Sequence, residues 1–144
     1  MRILLDNNIL ARANERSSGL AREILETVIA RHTLLLSSEM LVELARVLRY
    51  PRLQKLYGLT DEEIYHYVEY LREVCKPVLP DPLLPVPIRD PKDVVVLQTA
   101  VIGEAEIICT LDTDFYVAET LTFCATCGIE VCTDVDLMNR LRSA

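Results

Sequence analysis

Glycine is scarce, and so is positive charge. The 144 residues hold four glycines, none in a G-x-G-x-x-G array, which excludes a dinucleotide-binding module of the usual kind. Lysine occurs only at Lys55, Lys76 and Lys92, none of which follows a late strand. A phosphotransfer receiver domain, which needs such a lysine, is therefore disfavoured. Lys and Arg total 15 against 22 Asp and Glu, a net charge of −7. That balance argues against a nucleic-acid coat or an anionic membrane surface as partner, but not against an enzyme whose acids are held by metal ions. Long apolar runs are absent too. The longest uncharged stretches, Val94–Gly103 and Thr120–Ile129, fall far short of the roughly 18 to 20 residues of a membrane span. The N-terminal stretch Met1–Leu5 is short and meets Asp6 at once, so no export signal is read and a cytoplasmic location is expected. No internal repeat or low-complexity tract is visible.

Hydrophobic residues make up 51% of the chain, which excludes a disordered tail protein. The length predicts one domain over residues 1–144, large enough to hold a core without disulfides. The five cysteines, Cys75, Cys109, Cys124, Cys127 and Cys132, are expected as reduced thiols. Cys124 and Cys127 form a C-x-x-C. It precedes a strand rather than a helix and lacks a second ligand pair, so neither zinc nor redox chemistry is assigned to it.

Short apolar runs alternate with helical periodicity. Strands are predicted at Ile3–Leu5, Thr33–Leu36, Ile107–Thr110 and Ile129–Thr133. Helices are predicted at Leu20–Arg31, at Glu39–Arg49 behind the cap residues Ser37 and Ser38, and from the capping box at Thr60 to about Cys75. Others open at Asp90-Pro91, run from Asp112 to about Leu121, and close the chain at Asp134–Leu141. Lys76 to Pro91 holds six of the seven prolines and reads as a rigid connection, neither helix interior nor central strand. The alternation predicts an α/β fold of three α/β/α layers around a mainly parallel sheet of four to five strands. In such sheets, sites lie beyond the C-terminal strand ends.

Acids stand where those ends converge. Asp6 follows the first strand, Asp112 the third, and Asp114 lies two residues on. Glu43 borders the apolar stripe of the helix after the second strand, and Asp93 opens an otherwise apolar helix. Each alone could be a turn or cap residue or a solvated acid. Four carboxylates from four distant segments would repel one another on converging, and a cation would offset that repulsion. An all-oxygen set suits Mg²⁺ or Mn²⁺.

Asp6-Asn7-Asn8, the helix segment ending in Glu43, Arg89-Asp90-Pro91-Lys92-Asp93 and Thr110-Leu111-Asp112-Thr113-Asp114-Phe115 together resemble the motifs of PIN-domain nucleases, in order and over nearly the whole chain. The resemblance is nearest to the single-domain prokaryotic VapC-like toxins. It implies metal-dependent RNA hydrolysis, with Asp6, Glu43, Asp93 and Asp112 as catalytic and metal-holding residues. Asp114 is then an outer ligand or a helix cap, and Asn8 either orients Asp6 or touches phosphate. Ser38 is expected to cap rather than to join the cluster. Arg12, Arg16, Arg46, Arg49 and Lys92 are candidate cations near the site, with Arg12, Arg46 and Lys92 put forward, beside Asn8, for substrate binding. The implied partners are an RNA substrate, a cognate antitoxin protein and a second copy of the chain, with Tyr65, Tyr67 and Tyr70 among residues left over for that contact. A catalytically silent PIN-fold binding module is the alternative.

Overall fold

The computed structural model describes residues 1–143. Five strands form one sheet: β1 (Arg2–Leu5), β2 (Thr33–Leu36), β3 (Lys76–Pro77), β4 (Ile107–Cys109) and β5 (Glu130–Cys132). Their order is β3-β2-β1-β4-β5 and every pairing is parallel. After the opening Arg2 of β1 and Thr33 of β2 the central strands are apolar because helices cover the sheet, and Ile3, Leu4, Leu5, Leu35, Leu36, Ile107 and Ile108 are fully buried. The chain winds outward from β1 to β3, then returns to lay β4 on the other side of β1. The reversal of order therefore lies between β1 and β4, where the strand ends leave a crevice.

Among the described residues, eight helices surround the sheet: α1 (Asn7–Arg12), α2 (Leu20–Arg31), α3 (Ser38–Val47), α4 (Pro51–Tyr57), α5 (Asp61–Val74), α6 (Pro91–Ile102), α7 (Ala118–Thr126) and α8 (Asp134–Ser143). Helix α3 packs on α1, α5 and α6, while α2 packs on α1 and α8. Thr60 and Glu63 form the expected reciprocal capping box at the start of α5. At the other end of α4, Gly58 takes φ 60° as its C-cap, a left-handed conformation that suits glycine.

The differences from the predicted elements have local causes. The residues after Asp6, to which the sequence pattern assigns no element, are helical: the Asp6 side chain caps α1, and burial of Ile9, Leu10 and Ala11 offsets two poor helix formers, Asn7 and Asn8. The predicted helix Glu39–Arg49 is α3, Ser38–Val47, and beyond it Pro51, at a first helical position, starts the unpredicted α4. The helix predicted from Asp112 divides. A 3-10 turn, Thr113–Tyr116, buries Phe115, then Val117 turns extended before α7 begins. Inside the proline-rich connection, β3 adds a two-residue edge strand, the one place in a sheet where a proline costs no ladder bond. The rest of that connection is hooked to the helices through Gln98 to the Leu84 carbonyl at 2.9 Å and Thr120 to the Pro87 carbonyl at 3.0 Å. Of the three tyrosines left over for a second copy, Tyr67 is buried and donates to the Leu10 carbonyl at 2.6 Å, whereas Tyr65 and Tyr70 are exposed.

Candidate metal centre

Asp6 is placed by two backbone roles at once. Its N–H donates to the Cys109 carbonyl at 3.0 Å, closing the sheet, and its carbonyl starts the α1 ladder by accepting from Ile9 and Leu10. The carboxylate is left facing the crevice, 6% exposed. It accepts from the Asn7 N–H at 2.7 Å, from the Thr110 hydroxyl at 2.8 Å and from Asn8 Nδ2 at 3.4 Å. Burial pushes its carboxyl up from the ordinary value, and those hydrogen bonds pull against it.

Asp93 comes from the first turn of α6. Asp90, not Asp93, caps that helix, accepting from the Lys92 N–H at 3.0 Å. This leaves the Asp93 carboxylate to point into the crevice. It is 6% exposed, and among the described residues its Oδ2 finds no hydrogen-bond partner. Burial, followed by the charges of Asp112, Asp6 and Asp90, pushes its carboxyl up to about 8. Asp112 caps the 3-10 turn by accepting from the Asp114 N–H at 3.0 Å. Asp93, Asp112 and Asp114 each offer a carboxylate oxygen, and these lie within 4.8 Å of one another. Of the two roles expected for Asp114, capping therefore falls to Asp112 instead.

Glu43 faces the same crevice but is held apart by cations. Lys92 Nζ lies 3.4 Å from Oε1 and Arg46 Nε 3.6 Å from Oε2. Asp6, Glu43, Asp93, Asp112 and Lys92 line a cavity of about 650 Å³. Met40, Val47, Leu53, Val95 and Val96 form its apolar wall, and Arg12 and Arg52 also line it. An orphaned buried carboxylate oxygen beside two further carboxylates is the arrangement a hard divalent ion would satisfy. Cysteine takes no part in it: among the described residues, the aspartate trio is the one grouping of ligand-type side chains close enough to share an ion.

A family model described as a PIN domain matches residues 2–114, a span that takes in all five acids. The chain belongs to the PIN-domain family. PIN domains are generally nucleases, so the match supports a hydrolase acting on nucleic acid. Among solved structures, the fold is similar to the crystal structure of VapBC2 from Rickettsia felis bound to a DNA fragment from their promoter. The TM-score is 0.62 at 13% identity, over 92% of this chain and 98% of that one. At that identity the likeness is one of fold. No curated protein matches the sequence.

The candidate cations of this PIN domain separate by position. Arg12, Arg46 and Lys92 stand at or beside the acidic cavity, although Arg12 also lies 3.6 Å from Asp134. Arg16 does not: it clamps Glu63 at 2.7 Å and caps the Tyr57 and Gly58 carbonyls, which makes it a brace between the α1–α2 connection and the ends of α4 and α5. Arg49 is likewise tied to Asp61 and to the Ala45 carbonyl. Ser37 is the cap of α3, while Ser38 faces Arg72 at 3.5 Å. Asn8 donates to Asp6 and Thr110 and accepts from the Leu111 N–H, so its amide is engaged by the protein itself.

Two residues escaped the sequence reading. Thr110 was visible inside the Thr110–Phe115 motif, but its position at the end of β4 gave no hint that its hydroxyl would hold Asp6. Arg52 lies on α4, a helix with no periodic signal in the sequence.

Proposed function

We propose that this PIN domain is a Mg²⁺- or Mn²⁺-dependent endoribonuclease, acting as a VapC-like toxin. The observation that supports the reading most is the orphaned, buried Asp93 oxygen beside Asp112 and Asp114. Asp6, Asp93 and Asp112 would hold the ion, with Asp114 at its exposed edge and Glu43 released to it by Lys92 and Arg46. The ion, when bound, supplies Lewis acidity toward a water nucleophile and toward a phosphate oxygen.

The chain's own residues do the rest. Thr110, Asn8 and the Asn7 amide fix the Asp6 carboxylate. The low-dielectric floor under Asp93 keeps the carboxylates costly to ionise until a cation offsets them. Arg12, Arg46 and Lys92 place positive charge where a phosphodiester would approach, in a protein whose net charge would otherwise repel RNA.

As a VapC-like toxin, the chain would form a single domain, act in the cytoplasm, pair as a homodimer and be neutralised by a cognate antitoxin. The similarity of fold to VapBC2, bound in its structure to a DNA fragment from their promoter, supports that setting.

The test is cleavage of end-labelled single-stranded RNA by the full chain with Mn²⁺, with EDTA, and with the Asp6→Asn variant. Cleavage only by the wild type with metal is expected. Tight RNA binding without cleavage, unaffected by Asp6→Asn, would favour the silent binding module.

A further inference from the structure

Beneath the acidic site lie two thiols that the proposed reaction does not use. Cys109 ends β4 and Cys132 ends β5, and the two are register partners in a parallel pairing. Register partners in neighbouring strands present their side chains on the same face. Neighbouring strands generally run about 4.7–4.9 Å apart, which lies inside the roughly 4.4–6.8 Å Cα window of a disulfide. Cys109 is fully buried and Cys132 nearly so. The register sets the two side chains next to each other, and the neighbouring Cys132 thiol, followed by burial, pushes the Cys109 thiol up. The other cysteines lack such a partner across the sheet. Cys75 follows α5 at the opposite edge, and Cys124 and Cys127 lie at the end of α7.

We infer that Cys109 and Cys132 form an oxidisable dithiol, which a peroxide closes to a disulfide under the acidic site. Cys132 is the entry point, since β5 is an edge strand of three residues. Its sulfur attacks a peroxide oxygen. An S–O bond forms, the O–O bond breaks, and the departing hydroxide leaves as water with the thiol proton. The Cys109 sulfur then attacks the Cys132 sulfur. The S–S bond forms, the S–O bond breaks, and the second water carries away the Cys109 proton. Two thiols lose two electrons in all, and one peroxide becomes two waters.

The bond would reach the site through the backbone. The Cys109 carbonyl accepts from the Asp6 N–H, and the Cys132 carbonyl accepts from the Thr110 N–H, both at 3.0 Å. The strand spacing is compatible with the bond, but a disulfide holds the two Cβ atoms about 3.8 Å apart, so its closure shifts the end of β5 locally against β4. The carbonyls that seat Asp6 and Thr110 move with it. The inference does not rest on the nuclease reading, because neither measurement below involves RNA or metal.

The full chain, reduced and then exposed to hydrogen peroxide, is alkylated, denatured and digested without reductant. No Lys or Arg lies between Lys92 and Arg140, so a glutamate-specific protease is needed. Cleavage after Glu106, Glu119 and Glu130 puts Cys109, the Cys124/Cys127 pair and Cys132 on three peptides. The expected product is the Cys109 peptide joined to the Cys132 peptide, and dithiothreitol should release it. In the same oxidised sample, amide hydrogen exchange at Asp6 and Thr110 should be faster than in the reduced protein. A Cys75→Ser/Cys127→Ser variant, which removes an exposed and a half-buried thiol, should give the same linkage. Oxidation confined to Cys75, Cys124 or Cys127 would overturn the dithiol. A Cys109–Cys132 linkage with unchanged exchange at Asp6 and Thr110 would overturn its connection to the site.

Discussion

The Thr110 hydroxyl donates to Asp6 Oδ2 at 2.8 Å and accepts from the Asp112 N–H at 3.0 Å and from Asn8 Nδ2 at 3.2 Å. One fully buried oxygen thus ties the exits of β1 and β4 together at the point where the strand order reverses. Thr110→Val keeps the shape and removes all three bonds. It takes the shortest bond from Asp6 Oδ2 and leaves the Asp112 N–H without its acceptor, so a loss of about 1–3 kcal/mol in urea unfolding is expected. Thr110→Ser should recover most of it. Cleavage should fall in the Val variant and return in the Ser variant. A Val variant as stable as the wild type would show that the hydroxyl is not the link between the strands.

Asp93 separates function from structure. Asp90 already caps α6, so Asp93→Asn costs no cap. It removes one charge from a crowded group in which burial and three neighbouring aspartates oppose ionisation. The metal-free variant should be more stable than the wild type at neutral pH, while cleavage slows by orders of magnitude. A variant slightly less stable and fully active would remove Asp93 from the site.

The same crowding sets a pH dependence. The Asp93 carboxyl titrates at about 8 in the fold, far above the ordinary 3.8 of the unfolded chain. Between those values the native state holds a proton that the unfolded state has lost, so stability falls as pH rises and the loss is complete only above pH 8. Asp6 shifts in the same direction. His32, lowered chiefly by burial, has the opposite sign: its contribution is lost as pH falls below 6.5. The window from about pH 6.5 to 8 therefore isolates the acids. There, the metal-free protein should lose stability by at most about 1.4 kcal/mol per pH unit for a single proton. Asp93→Asn should flatten the slope. A wild type whose stability is level or rising across that window would contradict the assignment.

A ligand that binds only the folded state stabilises it by mass action. Millimolar Mn²⁺ should raise the melting temperature of the wild type and much less that of Asp6→Asn. Equal shifts in the two would remove the metal site.

Much of this architecture was legible in the sequence because its signals are local. Continuous apolar runs marked the strands, Thr60 and Glu63 marked the start of α5, and Asp90-Pro91 marked α6. The parallel sheet followed from alternation. What stayed hidden depends on tertiary contacts. Helix α1 exists because Asp6 caps it and Ile9 and Leu10 are buried, neither of which lifts the helix propensity of Asn7-Asn8. The break at Val117 follows from Phe115 entering the core. Candidate acids could be named because each follows a strand or opens a helix. Their separation into a trio of aspartates, a hydrogen-bonded Asp6 and a cation-held Glu43 could not, because it depends on where Lys92 and Arg46 reach. Arg16 looked like a site cation for the same reason and proved to be a brace.

Lys92 gives the sharpest remaining test, since it sits between two competing demands. Its ammonium faces Glu43, and this pairing, first by hydrogen bonding and then by charge, pushes the lysine up from its ordinary value. An incoming cation must displace that ammonium to use Glu43, while an incoming phosphate is attracted to it. Lys92→Met should therefore move two quantities in opposite directions. Less Mn²⁺ should suffice for half-maximal thermal stabilisation, because the built-in competitor is gone. RNA should bind more weakly, and the slope of log affinity against log salt should become shallower by about one unit, as for loss of one phosphate contact. The side chain is half-exposed, so the fold should be little affected and both readings remain interpretable. If Mn²⁺ and RNA both bind the variant as they bind the wild type, Lys92 is only a surface partner of Glu43. If both weaken together, Lys92 supports the site's structure and does not compete with the ion.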